Sequence, residues 1–187
     1  FARDNNLYLK KLDYDTESAI TTDGEFGKII NGTPDWVYEE EFCNIRLFEW
    51  NKSSELLAFL RFEETAVKNF TFQWFTNDYP TLKSYKYPRS GGDNSHISLM
   101  VYDVGNRTTK QMDVAPKNED FYIPVFYWTN TDDNLAVVRL NRSQNHLNLL
   151  SVNGRSGVSK LIISEKSNTY IDYKNYTKLH FNTDNSF

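Results

Sequence analysis

With a single cysteine, Cys43, in 187 residues, the chain cannot form an internal disulfide. That excludes a cystine-stapled scaffold and leaves the thiol to be read as a buried small hydrophobe. Alanine, the strongest helix former, is scarce. No apolar run approaches the roughly 18 residues of a membrane-spanning helix. Basic charge is not in excess: 21 Lys and Arg stand against 25 Asp and Glu, for a net charge of -4. The two signs alternate along the chain, whereas a surface that neutralises phosphates needs clustered cations, so nucleic acid is not an expected partner. HExxH and CxxC patterns are missing and the three histidines are scattered, so no metal and no other cofactor is expected. The glycine pair in SGGDN lacks the following lysine and helix of a phosphate-binding loop. The opening residues, FARDNNLYLKKLD, have no basic start followed by an apolar block. They read as a chain entered midway through a strand, not as a secretory leader.

What is present instead is aromatic and polar. Phe, Trp and Tyr make up 16% of the residues, beside abundant Asn, Asp, Thr, Ser and Tyr, a mixture suited to short strands joined by polar turns. The expected fold class is all-β. The length allows one domain with its own core, or a piece of something larger. Asn-x-Ser/Thr sequences occur at Asn31, Asn51, Asn69, Asn106, Asn141 and Asn175, but a chain this rich in Asn produces several by chance.

A repeat organises the sequence. RLFEWNKSSELLAFLRF, from Arg46, and PVFYWTNTDDNLAVVRLNR, from Pro124, each place six mostly polar residues between a tryptophan and a Leu-Ala pair. Two apolar residues, an arginine and another apolar residue follow. Trp50 stands to Leu57 as Trp128 stands to Leu135, 78 residues apart. The pattern predicts a hairpin: a strand ending at the aromatic, a polar turn, and a returning strand buried on both faces. After the first hairpin, strands are expected from Ile97 to Asp103 and Lys110 to Val114; after the second, from His146 to Val152 and Ser159 to Ser164. Leu7 to Leu9 and Ser18 to Thr21 read as the closing pair of an earlier unit. A third copy begins in KLHFNTDNSF, with Phe181 in the tryptophan position.

Four strands per unit, bounded by NGR, GNR and TDG turns, match the blade of a β-propeller. The expectation is a partial β-propeller of about two and a half four-stranded antiparallel blades. Residues 1–34 would end one blade, 35–44 form a glutamate-bearing turn or short helix, 45–115 form a blade, 121–165 the next, and 170–187 begin another. The spacing of 78 exceeds the roughly 40 to 50 residues of a simple propeller repeat, so the first unit carries an insertion, 63–96. Its Phe70, Phe72, Trp74, Phe75, Tyr79, Tyr85 and Tyr87 alternate with polar residues and are expected to pack over a blade or against a partner. Open blade edges predict pairing with a second copy or aggregation, and a monodisperse monomer in light scattering would count against that. A β-sandwich is the rival architecture, but does not predict the repeated aromatic-turn-Leu-Ala signature.

Residues Pro34 to Phe42 read PDWVYEEEF, three acids in a row beside aromatic side chains. DWVYEEEF with its Trp-ended strand and LAFLRF, then TFQWF, KYPRSGGDNSHISLMVYDV and RLNRSQNHLNLL, closely resembles the propeller domain of the dipeptidyl peptidase IV family of serine peptidases, most nearly its bacterial members. The resemblance runs from about Leu7 to Phe187. It implies an eight-bladed propeller capping an α/β-hydrolase domain. It also implies a parent enzyme that removes N-terminal dipeptides with Pro or Ala at the penultimate position, in the periplasm or cell envelope. Carried over by position, Glu40 and Glu41 hold the free N-terminus of a peptide substrate, and Glu39 is less direct. Tyr173 and Tyr176 fall near a loop that approaches the substrate cavity, although the local sequence departs from the mammalian pattern.

The chemistry suits that role. A terminal ammonium is a compact cation with three donors, and each charge-assisted bond to a carboxylate contributes about 1.5 to 3 kcal/mol. Neighbouring side chains do not share a face of a regular helix, so both acids reach one ligand only near a helix end or an irregular turn. Asp35 is placed to cap such a turn, with Trp36 and Phe42 anchoring it. No catalytic residue is expected here, because the family's G-x-S-x-G nucleophile elbow does not occur. His96, His146 and His180 are read as strand residues. Arg139, Arg142, Gln144 and Asn145 are read as structural hydrogen-bonding groups. The rival functions are a non-catalytic propeller that binds a protein or peptide, and a carbohydrate-binding sandwich. A G-x-S-x-G serine about 250 to 350 residues beyond Phe187 in the parent would separate peptidase from binding module.

Overall fold

A computed structural model describes residues 1–117, 119–177 and 179–182. Its strands are β1 (Ala2–Arg3), β2 (Asn6–Lys11), β3 (Thr16–Ala19), β4 (Ile29–Asn31), β5 (Phe48–Trp50), β6 (Leu56–Glu63), β7 (Asn69–Trp74) and β8 (Thr81–Lys86), followed by β9 (His96–Asp103), β10 (Thr108–Gln111), β11 (Phe121–Trp128), β12 (Asn134–Asn141), β13 (His146–Asn153) and β14 (Ser159–Lys166). Helix α1 spans Trp36–Glu40, and a 3₁₀ turn spans Tyr173–Tyr176. Contacts divide the chain into a first unit, residues 1–46 and 61–96, and a second, 47–60 and 97–187.

The second unit shows why the repeat is written as it is. β11, β12, β13 and β14 form a four-stranded antiparallel meander. One face of the central strands, Ala136, Val138, Leu140, Leu147 and Leu149, makes a core with Ile171, while Leu135, Val137, Leu150 and Val152 on the other face are also at most 4% exposed. Burial on both faces is what a near-continuous apolar strand achieves, each large side chain contributing about 1.5 to 3 kcal/mol. The expected register holds in both copies: Trp50 lies opposite Leu57 and Trp128 opposite Leu135. Trp128 also donates from Nε1 to the Glu49 carbonyl at 2.9 Å, so the second tryptophan is hydrogen-bonded to the strand carrying the first. Gly154 lets the backbone lie against this ring, since an added Cβ would sit 2.8 Å from it.

Asn and Asp organise the turns by accepting local backbone N–H groups. Asn51 Oδ1 accepts from Glu55 and Leu56, Asn141 Oδ1 from Asn145 and His146, Asn153 Oδ1 from Arg155 and Ser156, and Asp103 Oδ1 from Asn106. Two Asn-x-Ser/Thr positions are thereby accounted for structurally: Asn51 is 2% exposed and Asn31 is fully buried. In the folded chain neither offers its amide to a glycan.

In the first unit, β1, β2 and β3 form an antiparallel sheet, with β2 and β3 the pair expected from Leu7 to Thr21. β4 pairs with Arg61–Glu63 of β6. Residues 29–31 therefore join the sheet of the first repeat, which corrects the reading of 1–34 as the end of the preceding blade. The reason is visible in the register. β6 meets β5 at Leu57–Phe59 and β4 at Arg61–Glu63, while the equivalent β11 pairs along β12 as one strand with a bulge between Tyr122 and Val125. The first repeat opens that strand and inserts α1 at the break. Gly32, at φ +74 and against the Leu7 side chain, turns the chain out of β4.

The aromatic insertion forms its own antiparallel hairpin, β7 with β8. Phe70, Phe72 and Trp74 alternate onto one face, where Phe70 meets Tyr85 and Tyr87, Phe72 meets Tyr85 and Trp74, and the two tyrosines meet each other, at centroid distances of 5.5 to 6.1 Å. Phe75, Tyr79 and Leu82 are exposed. β9 begins at His96 and β10 covers Thr108–Gln111, so Met112 and Val114 are buried beyond the strand that was expected to end at Val114. Residues 183–187, which would open the third copy, lie outside the described residues; Phe181 and His180 are in no strand.

Asn51 also donates to Ser53 Oγ and to the Asp132 carbonyl. Asn51→Ala should therefore lower the unfolding free energy by roughly 2 to 4 kcal/mol, against less than about 1 kcal/mol for the exposed Asn106→Ala, measured by denaturant titration. Equal costs for the two would refute the structural role of the buried turn.

Candidate functional site

PDWVYEEEF folds into one short helix whose two ends are defined by side chains. Asp35 is the N-cap, with Oδ1 accepting from Tyr38 N–H at 2.9 Å. The helix ends at Glu40, and Glu41 is its C-cap, donating from its N–H to the Val37 carbonyl. Past it, Cys43 takes a left-handed conformation, φ +56, and Asn44 N–H closes onto the Tyr38 carbonyl at 2.9 Å. Cys43 is exposed, against the expectation of a buried thiol. The turn geometry leaves its side chain outside, while the apolar anchoring goes to Tyr38 and Phe42.

Tyr38, one of the aromatic residues beside the acids but not one of the two expected anchors, carries the helix. It is 1% exposed, with ring centroids 5.0 Å from Phe42 and 4.8 Å from Phe62 of β6. Trp36 takes a different part from the one expected of it: it meets Tyr87, at the foot of the aromatic hairpin, edge-on at 4.4 Å. The signal that could have found Tyr38 is its place three residues after the cap, where a side chain on the inner face of a single-turn helix points back at the sheet.

The acids lie on the other side. Glu39, Glu40 and Glu41 are all exposed, and none has an ion-pair partner among the described residues. Glu40 is the last helical residue and Glu41 the C-cap, still at helical angles of φ -91 and ψ -38; the chain leaves the helical path only at Cys43. Adjacent positions at a helix end place both carboxylates in solvent. Two further carboxylates stand behind them. Asp35 is 6% exposed and Glu64 is 6% exposed. Burial raises the Asp35 pKa, opposed by hydrogen bonds from Ser95 Oγ and the Tyr38 and Val37 N–H groups. Burial, and then the Asp35 charge, raises that of Glu64, opposed by Lys86 and the Gly27 N–H. Lys86 itself donates to the Val67 carbonyl at 2.7 Å.

Tyr173 and Tyr176 belong to the second unit and are held there. The 3₁₀ turn is capped by Asp172, which accepts from Lys174 N–H. Tyr176 donates its hydroxyl to Glu165 Oε2 at 2.6 Å, and its carbonyl accepts from the Tyr127 hydroxyl. The bond to Glu165 and burial push the Tyr176 pKa up to about 12. Both tyrosines pack on the β12–β13 core, so this loop is anchored by Tyr176. The polar cluster, expected to bond between blades, does so through Arg139, which donates to the Val114 carbonyl, while the rest bond locally: Arg142 donates to Asp120, Asn141 to Asn145, and the Gln144 carbonyl accepts from Ile171 N–H. His96 and His146 open strands β9 and β13, whereas His180 lies outside any strand.

A carboxyl whose pKa is raised by folding binds its proton more readily in the folded chain. Its favourable contribution is full at low pH and is lost as pH rises through the folded value. Glu64→Gln removes that dependence. The variant should melt higher than the parent at neutral pH, and the gap should close as pH falls below the ordinary carboxylate range, followed by melting temperature against pH. A gap independent of pH would remove the Glu64 charge as its cause.

The profile of the family described as "Dipeptidyl peptidase IV (DPP IV) N-terminal region" matches residues 1–187. The crystal structure of Porphyromonas gingivalis dipeptidyl peptidase 4 matches with a TM-score of 0.90 at 41% identity, covering 97% of this chain and 26% of that one. A Talaromyces marneffei protein named "Probable dipeptidyl-aminopeptidase B" is 35% identical over 175 residues, 84% of this chain and 19% of its own. Aspergillus niger dipeptidyl-aminopeptidase B is 32% identical over 180 residues, 88% of this chain and 20% of its own. The chain thus spans about a fifth of the length of these curated relatives. Its antiparallel sheets, among them the four-stranded meander β11–β14, are those of a partial β-propeller. With the family profile matched from end to end, the chain belongs to the dipeptidyl peptidase IV family, as part of its N-terminal region.

Proposed function

We propose that this chain is the substrate-selecting part of a serine exopeptidase that removes N-terminal dipeptides with Pro or Ala in the penultimate position, and that Glu40 and Glu41 bind the substrate's terminal ammonium. One observation carries the reading: a capped single-turn helix ends between two adjacent exposed carboxylates that have no ion-pair partner among the described residues. Exposed acids that serve only solubility need no such support, and here the backbone beneath them is fixed by Asp35, Tyr38 and Asn44.

In this reading the pair is a ruler. Holding the ammonium at a fixed distance from a nucleophile turns a general acyl-transfer site into one that counts two residues from the N-terminus. A peptide without a free amine leaves both carboxylates desolvated and unpaired on binding, which costs several kcal/mol and excludes it. The nucleophile belongs to the partner this reading requires, an α/β-hydrolase domain of the whole protein, because G-x-S-x-G is not in these residues. Glu39 lies one position further into the helix and takes the lesser part; Tyr173 remains a weaker substrate contact, and Tyr176 supports it. The proposed place of work is the periplasm or cell envelope, which cell fractionation of the native protein tests; a wholly cytoplasmic enzyme would overturn it.

In the whole enzyme, Glu40→Gln and Glu41→Gln should each lower kcat/KM for a chromogenic dipeptide substrate by roughly 10- to 100-fold, the worth of a charge-assisted bond. Activity on the N-acetylated substrate, already poor, should not fall further. Unchanged kcat/KM on the free-amine substrate would overturn the ammonium-binding role.

A further inference from the structure

The start of α1 is gripped from outside the helix. Asp35 divides its oxygens: Oδ1 serves the helix through Tyr38 N–H, and Oδ2 accepts from Ser95 Oγ at 2.6 Å, from sixty residues further along the chain. The next residue, Trp36, meets Tyr87 at 4.4 Å. Tyr87 and Ser95 bracket the loop that follows β8, so two consecutive residues of the helix start are held by one segment. A five-residue helix is too short to persist on its own hydrogen bonds. Its pose is therefore inherited from Tyr38 beneath it and from this grip at its side.

We infer that Asp35 and Ser95 are positioning residues for the Glu40–Glu41 pair: the hydroxyl–carboxylate contact sets where the helix ends, and so where the two carboxylates meet a substrate ammonium. The inference rests on the ammonium-binding reading above. N-capping alone would need only Oδ1. The second oxygen is instead spent on a distant hydroxyl, at a buried site that also faces the Glu64 carboxylate. Without the Ser95 donor, Asp35 Oδ2 loses a partner in a place where burial already disfavours its charge. The relief open to the chain is to move Asp35, and with it the first turn of α1.

The test uses the whole enzyme and a free-amine chromogenic dipeptide, with active-site titration so that only folded enzyme is counted. Ser95→Ala should raise KM by roughly three- to tenfold, the range of one hydrogen bond, with kcat within about twofold, as expected for lost uniform binding. Ser95→Thr, which keeps the hydroxyl, should restore KM. In a Glu40→Gln/Glu41→Gln background, Ser95→Ala should have no further effect on kcat/KM, because its action passes through those carboxylates. An unchanged KM in Ser95→Ala, or a full additive loss in the double-glutamine background, would overturn the inference and leave Ser95 a purely structural partner. The ammonium reading fails separately, if the glutamine variants themselves leave kcat/KM unchanged.

Discussion

Strand β6 imposes the constraint on which the rest depends. Its residues from Leu56 to Leu60 are at most 2% exposed, so the backbone groups among them have no water to turn to and must find strand partners on both edges. β9 supplies one edge. On the other, β5 serves Leu57–Phe59 and β4 serves Arg61–Glu63. Because the hydrogen bonds are satisfied by two short pieces instead of one long strand, the chain between them is released from the sheet without leaving buried backbone groups unpaired. α1 is built in that release. The α1 excursion thus sits at a place where the second repeat has only a bulge, a common site for re-aiming a chain out of a sheet.

The same economy explains the side chains around α1. Tyr38 reaches back to Phe62, the residue that pairs with Ile30, so the helix is seated on the very stretch of β6 whose pairing allowed it to leave. Asp35 caps it, and Tyr87 and Ser95 steady its entrance. The acids occupy the remaining, outward side. Burial of Asp35 and Glu64 behind them runs against the general preference of carboxylates for water, and hydrogen bonds from Ser95, Tyr38 and Gly27 offset that cost.

The repeated arginines show how closely two copies can share a plan. Arg61 and Arg139 stand at the same place after Leu-Ala, and each reaches back to the chain entering its own repeat: Arg61 to Asp23 as an ion pair, Arg139 to the Val114 carbonyl. The role is conserved while the acceptor changes, from a carboxylate to a backbone oxygen. Between the turns of the second unit, Arg155 gathers Glu55, Asp133 and Asp103. It is an exposed network whose worth lies more in fixing loop geometry than in free energy.

Much of this was legible in the residues. Period-two and doubly buried apolar runs depend on local spacing alone, and they identified the Trp-ended hairpin of each repeat and the Trp50–Leu57 and Trp128–Leu135 register, but not β4 or the bounds of β10. The cap at Asp35 was legible for the same reason, since an N-cap acts within three residues. Cys43 was misread because its exposure is decided by a left-handed turn that only the closure of Asn44 onto Tyr38 requires. Tyr38 takes the anchoring part expected of Trp36 because which aromatic faces the sheet depends on where β6 lies. The sequence alone determined that three acids would end a short capped segment beside a β-rich core. Tertiary structure decided that the segment leaves the sheet between β4 and β5 and is held by Ser95 and Tyr87. Such contacts join residues far apart in the chain, and nothing in local spacing carries their distance or direction.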